Sequence, residues 1–189
     1  MTIAANGPGV VTLGAEDRVR AVAAIKAALD LSLDDHDDLL AALAETALGL
    51  AEQFLGQMLV ARTLVVTLPV RSGWQRLALS PVTAITGVAG VAADGSAVVL
   101  PVLGHDIDIL RGEGWVRLRD VGAAVRVTAA VMAGAAADWD AIPAAIRQGA
   151  VLLAAYLFSE RDTTRPPPGA ITALWRPYRT LTLTGSVHA

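Results

Sequence analysis

Arg62-Thr63-Leu64-Val65-Val66-Thr67-Leu68-Pro69 is the stretch at which this chain changes its period. Leu64, Val66 and Leu68 alternate with Val65 and Thr67, the two-residue repeat of a strand, and Pro69 ends it. Upstream the repeat is helical. Val19, Val22, Ile25 and Leu29 fall three and four apart between Ala15 and Asp30. A second helix follows Ser32-Leu33-Asp34-Asp35, with Leu39, Leu43, Ala47, Leu50 and Phe54 on its expected apolar face. Asp38, Glu45 and Glu52 form the opposite polar stripe, and Gly56 is the stop.

Downstream of Pro69 the strand reading continues. Trp74–Leu79, Ile85–Val91, Ala97–Leu100, Asp106–Leu110, Trp115–Leu118 and Ala124–Met132 each suit a short strand. Ala93-Asp94-Gly95-Ser96 and Arg111-Gly112-Glu113-Gly114 are hairpin turn signals. The helical period returns at Asp140-Ala141-Ile142-Pro143, with proline tolerated in a first turn. Ile146, Ala150, Leu153 and Leu157 mark one face of a helix ending near Ser159-Glu160-Arg161-Asp162. Its last two turns are apolar all round, so more than one side must be covered. Pro166-Pro167-Pro168 forms an extended spacer before a short helix over Ala170–Trp175.

The expected fold is therefore α+β: a helical bundle with an inserted small antiparallel β unit and an extended C-terminal tail. Residues 1–60 supply the N-terminal helices, 61–137 the β unit, 138–175 the C-terminal helices and 176–189 the tail. At 189 residues the chain is long enough for a sizeable core without staples.

Composition narrows the chemistry. There is no cysteine, which removes disulfides, thiolate catalysis and sulfur-based zinc sites. A net charge of −3 opposes binding of nucleic acid by phosphate neutralisation. Nine acids against three bases in Met1–Val60, and five bases against three acids in Asp140–Ala189, suit head-to-tail contacts between subunits. The longest charge-free apolar stretch, Leu77–Ala93, is interrupted by Pro81, Gly87 and Gly90 and makes a poor membrane span. The first residues lack the pattern of a signal peptide, so a soluble cytoplasmic protein is expected.

Asp34-Asp35-His36-Asp37-Asp38 is the cluster most like a site. Carboxylates beside an imidazole suit a divalent metal. Acids at a helix start also complement its dipole and cap free N–H groups, and consecutive helical residues fan outward. We therefore read the cluster as a helix start. His105, Asp106 and Asp108 read as a solvent-facing strand edge, with the two acids on one face. No nucleophile elbow, P-loop, metalloprotease helix or dinucleotide fingerprint is present, so no catalytic residue, metal or cofactor is assigned.

The end of the chain carries Trp175, Arg176, Tyr178 and Arg179, then Thr180-Leu181-Thr182-Leu183-Thr184. Trp, Tyr and Arg are the residues most enriched at interface hot spots. The alternating Thr-Leu run suits a strand added to a partner's sheet edge.

Several segments taken together carry a resemblance: Leu33-Asp34-Asp35-His36-Asp37-Asp38-Leu39-Leu40, Ala51-Glu52-Gln53-Phe54-Leu55-Gly56, Leu79-Ser80-Pro81-Val82-Thr83-Ala84-Ile85 before Asp94-Gly95, Ile142-Pro143-Ala144-Ala145-Ile146-Arg147, and Leu174-Trp175-Arg176-Pro177-Tyr178-Arg179. In this order the chain resembles the head–tail connector (adaptor) proteins of long-tailed double-stranded DNA phages and their relatives in prophages and gene transfer agents. The resemblance runs from about Asp30 to Leu181. It implies a non-enzymatic, usually dodecameric ring in the neck of a virion or phage-like particle, assembled in the bacterial cytoplasm. The implied partners are the portal protein, a neck stopper or tail-terminator-side protein, and further copies of the chain. DNA would pass through the channel without sequence-specific binding, and no membrane is involved.

On this resemblance Trp175, Arg176, Tyr178 and Arg179 lie on the portal grip, with Thr180, Leu181, Thr182 and Leu183 as its inserting strand. Asp38, Glu45 and Glu52 are candidates for subunit contact or channel wall. The alternatives are a tail-completion or baseplate protein and, more remotely, a metal-dependent hydrolase built on Asp34–Asp38.

Overall fold

The structure, a computed structural model, describes the backbone of residues 2–3 together with residues 7–160 and 166–179. The fold is mixed α+β. Helices α1 (Ala15–Leu29) and α2 (Asp37–Leu55) come before the strands, and α3 (Ala144–Ser159) and α4 (Gly169–Trp175) after them. One five-stranded antiparallel sheet runs in the order β1 (Thr2–Ile3), β2 (Arg62–Pro69), β8 (Arg126–Ala133), β4 (Val82–Val91), β5 (Ala97–Val98). A three-stranded antiparallel sheet has the order β3 (Trp74–Arg76), β7 (Glu113–Leu118), β6 (His105–Leu110). No helix among the described residues is long and apolar enough to cross a membrane.

The expected elements are found, with shifted ends. Strand β2 matches its reading residue for residue, because its alternation is complete: Leu64, Val66 and Leu68 are buried. The second expected strand, Trp74–Leu79, stops at Arg76, so Leu77 and Leu79 reach the core from outside a strand. In the β6–β7 hairpin Arg111 (φ 53°) and Gly112 (φ 78°) both take the left-handed conformation. Two such residues in succession make the turn whose twist matches the paired strands.

Two apolar clusters divide the chain. Inner faces of both sheets meet around Leu64, Val66, Leu68, Leu77, Val116 and Val127. The helices share another cluster, with Ile25, Leu40, Leu48, Leu55, Ile146 and Leu153 at its centre. Helix α2 touches α1, α3 and α4, which puts it in the middle of the helical layer.

That central position shifts the expected face of α2: Ala47 is buried and Leu43 and Phe54 pack against the core as read, but the centre of the face lies elsewhere. Leu39 and Leu50 are exposed, whereas Leu40, Ala41, Ala44, Ala47, Leu48, Ala51 and Leu55 are buried. Neighbours close in on the small side chains, and at Gly49 a Cβ would strike the carbonyl of Gly9. Bulk alone did not locate the face, because close approach between elements favours Ala and Gly. Val19 on α1 is likewise exposed rather than packed.

The polar stripe of α2 is also reassigned. Its acids receive the segment that precedes α1: Gly9 N–H donates to Glu52 Oε2 at 2.9 Å and Leu13 N–H to Glu45 Oε1 at 3.0 Å. Glu52 is 1% exposed and also accepts from Leu59 N–H and both Arg62 terminal nitrogens, each at 2.8 Å. This node ties the N-terminal segment, α2 and β2 together.

Candidate functional site

Trp175 is a core residue. It is 3% exposed, and its indole N–H donates to the carbonyl of Ile146 on α3 at 3.1 Å. The ring lies 5.9 Å from that of Phe54 on α2. Gly149 makes the room: a Cβ there would collide with the indole nitrogen and carbons. The expectation that Trp175 contacts a partner is corrected, since its side chain is used up between α3 and α2. The spacer does not carry α4 away, because α4 folds back on α3 with Ile171 buried beside it.

Immediately beyond this anchor the side chains turn outward. Arg176, Tyr178 and Arg179 are exposed around a short 3-10 turn, Arg176–Tyr178. The Arg179 guanidinium stands over the Phe54 ring at 5.5 Å, a cation–π distance. Gln57 Nε2 donates to the Tyr178 carbonyl at 3.5 Å. Trp175 thus fixes the point from which an aromatic and two guanidinium groups are displayed. Thr180, Leu181, Thr182 and Leu183 lie outside the described residues.

Of the three acids read as channel wall or subunit contact, only Asp38 is exposed. Glu45 accepts from Arg18 Nη2 at 2.7 Å as well as from Leu13, and Glu52 is sealed by Arg62. A buried carboxylate with both oxygens occupied cannot face a channel or a neighbour, so the Glu52 assignment is withdrawn; Glu45 is half-buried, with its Oε1 turned to Arg18 and Leu13.

The Asp34–Asp38 cluster is organised around Lys26, whose ammonium donates to Asp34 at 2.5 Å and Asp37 at 2.9 Å. The hydrogen bond from Lys26, then its charge, holds the Asp34 carboxyl below its usual range. The same bonds, Asp34 first, push Lys26 upward. His36 meets the Phe158 ring edge-on at 5.3 Å. Among the described residues no group of three or more His, Asp and Glu is placed to hold a metal ion. In the β6 region Asp106 accepts from Arg117 and Arg119, each at 2.7 Å, which holds its carboxyl low, Arg119 first. The Nδ1 of His105 is buried with no hydrogen-bond partner among the described residues.

Two apolar features escaped the sequence reading. One is an open groove of about 680 Å³ between α1 and α2, lined by Val19, Val22, Ala23, Ala27 and Leu31. The other is the loop Val99–Leu103, in which Val99, Val102 and Leu103 stand in solvent. Both signals are present in the sequence: Val19 begins a row that reads as a buried helical face, and Pro101 follows the strand expected over Ala97–Leu100.

No family model matches the sequence, and no curated protein matches it. Solved structures do. A chain in the neck of an empty gene transfer agent (GTA) particle, computed with C6 symmetry, superposes with a TM-score of 0.75 at 22% identity over 98% of this chain and 99% of that one. A chain in the neck of the native GTA particle, computed with C12 symmetry, gives 0.70 at 24% identity. One from the virion of the native particle gives 0.69 at 24%, and both cover 98% of this chain and 99% of theirs. End to end, the chain shares the fold of chains found in gene transfer agent necks.

Proposed function

We propose that this chain is a structural head–tail adaptor of a phage or phage-like particle. It forms a ring between the portal and the next neck protein, a stopper or tail-terminator-side component, and DNA passes through the channel. The observation that supports this most is the end-to-end fold match, covering 98% of this chain and 99% of the neck chain at a TM-score of 0.75. A dodecamer is the count we favour, since one matched neck is described with C12 symmetry and another with its divisor, C6.

In this reading residues 1–60 and 138–175 form a helical bundle, 61–137 an inserted β unit and 176–189 the portal-binding tail. Arg176, Tyr178 and Arg179 make the first portal contacts, and Thr180–Leu183 add a strand to the portal. Asp38 and the half-buried Glu45 are the remaining candidates for subunit contact or channel wall. The net charge of −3 suits a channel in which DNA slides rather than sticks. The role is geometric and needs no catalytic group. The place of work is the particle neck, after assembly in the bacterial cytoplasm.

The test is co-purification with the portal protein of the same particle. Of the described residues that this deletion would remove, 176–179, none has its side chain in the buried clusters, and a chain lacking residues 176–189 should stay folded and lose the portal. Ordinary portal binding by the truncated chain would overturn the assignment of the tail.

A further inference from the structure

Val99, Val102 and Leu103 are 93%, 91% and 85% exposed, an unusual display for three aliphatic side chains within five residues. They are not on a loose loop. Leu100, between them, is buried in the sheet core and pins the loop down. Gly104 N–H donates to the Pro101 carbonyl, and the Gly104 carbonyl accepts from the N–H groups of Arg119 and Asp120. Pro101 further limits the backbone. The result is a preorganised apolar knob, and from Gly95 to Gly104 the chain has no charge.

The groove between α1 and α2 is its concave counterpart. Its walls are apolar, with Val19 70% exposed along one of them. Of its rim charges, Arg18 is paired with Glu45 at 2.7 Å and Lys26 with Asp34 and Asp37, while Asp38 adds an exposed carboxylate at the edge. The same ion pairs cross-link the elements that form the groove. Such a site offers little to a charged ligand and much to a neutral apolar one. At about 680 Å³ it has room for more than three aliphatic side chains.

We propose that the Val99–Leu103 knob of one copy seats in the α1/α2 groove of the next copy. The two surfaces belong to different cores of the chain, the knob to the sheets and the groove to the helices. A contact between unlike surfaces of identical chains is head-to-tail, and it closes into a ring when the rotation per step allows. Closure rests on the ring reading above; the contact itself does not.

The absence of cysteine makes the test direct. Purified full-length Ala23→Cys and Leu103→Cys variants, mixed under mild oxidant, should give disulfide-linked dimers in several-fold excess over a Ser72→Cys and Ala23→Cys control mixture. Neither variant oxidised alone should exceed the control. A yield no higher than the control would overturn the contact. So would dimers from Leu103→Cys alone, which would make the knob self-pairing. A chain carrying both cysteines should give a ladder that stops at a closed ring. An unlimited ladder would uphold the contact and overturn the ring reading; closed rings by imaging without the cross-link would do the reverse. Val99→Glu with Val102→Glu should leave the melting temperature unchanged and abolish the cross-link from Ala23→Cys to Leu103→Cys; a surviving cross-link counts against the knob.

Discussion

Arg62 holds Glu52 with both prongs of its guanidinium, Nη1 on Oε1 and Nη2 on Oε2, each at 2.8 Å. Arg62 opens the first long strand, and Glu52 lies in the last turn but one of α2, so this fork joins the helical layer to the sheets. The remaining acceptor capacity of Glu52 goes to the N–H groups of Gly9 and Leu59, while Arg62 also donates to the carbonyls of Gly7 and Val60.

Removing either partner leaves the other charge buried, which typically costs about 3–5 kcal/mol. Glu52→Ala and Arg62→Ala should each lower unfolding free energy in urea by that order. Their double variant should lose clearly less than the sum, since it strands no lone charge. Additive single effects would mean that the fork does not couple the two layers.

Trp175 and its neighbours separate stability from binding. Trp175→Ala should cost about 3–5 kcal/mol, as truncation of a buried aromatic does. Gly149→Ala should cost about 1–3 kcal/mol by overpacking the indole. Replacing Arg176, Tyr178 and Arg179 together by Ala should leave the melting temperature within a degree or two and weaken portal binding. A large stability loss in the triple variant would place those residues with the core instead.

Acid should loosen the β6–β7 edge. Hydrogen bonds from Arg119 and then Arg117 depress the Asp106 carboxyl. A depressed folded pKa gives stability that is present above the unfolded carboxyl value, about 3.9, and is lost as pH falls through the folded value. Asp106→Asn should therefore melt below the parent chain at neutral pH, with the difference vanishing once acid has protonated the folded carboxyl. A difference that persists there would point to packing rather than charge.

At the alkaline end the sign reverses. Lys26 is raised by Asp34 and Asp37, so its contribution is complete below the unfolded lysine value, about 10.4, and is lost as pH rises through the folded one. Lys26→Met should flatten the alkaline fall in melting temperature. An unchanged alkaline profile would show that the pairs add nothing to stability.

Strong periodicity made much of this fold legible. The Arg62–Pro69 alternation, the return to helix after Pro143 and the Arg111-Gly112 turn are all local signals, and local geometry honours them. What failed was anything decided by approach between elements. The part of the buried face of α2 that was missed includes Ala44, Gly49 and Ala51, residues that register weakly on a hydrophobic pattern. Trp175 was misplaced because its pocket is the missing side chain of Gly149, twenty-six positions earlier in the chain. Glu45 and Glu52 read as a solvent stripe because nothing in their own helix reveals the segment laid across them. The outward trio Arg176, Tyr178 and Arg179 was legible as a display; only its foundation was not.

The central claim is a ring of this chain seated on the portal. Electron microscopy of the chain co-expressed with the portal protein of its own particle tests it most directly. The account predicts a closed, rotationally symmetric ring of this chain bound coaxially beneath the portal, with an open axial channel. A chain that stays monomeric beside assembled portal, or that binds only elsewhere on the particle, would contradict it.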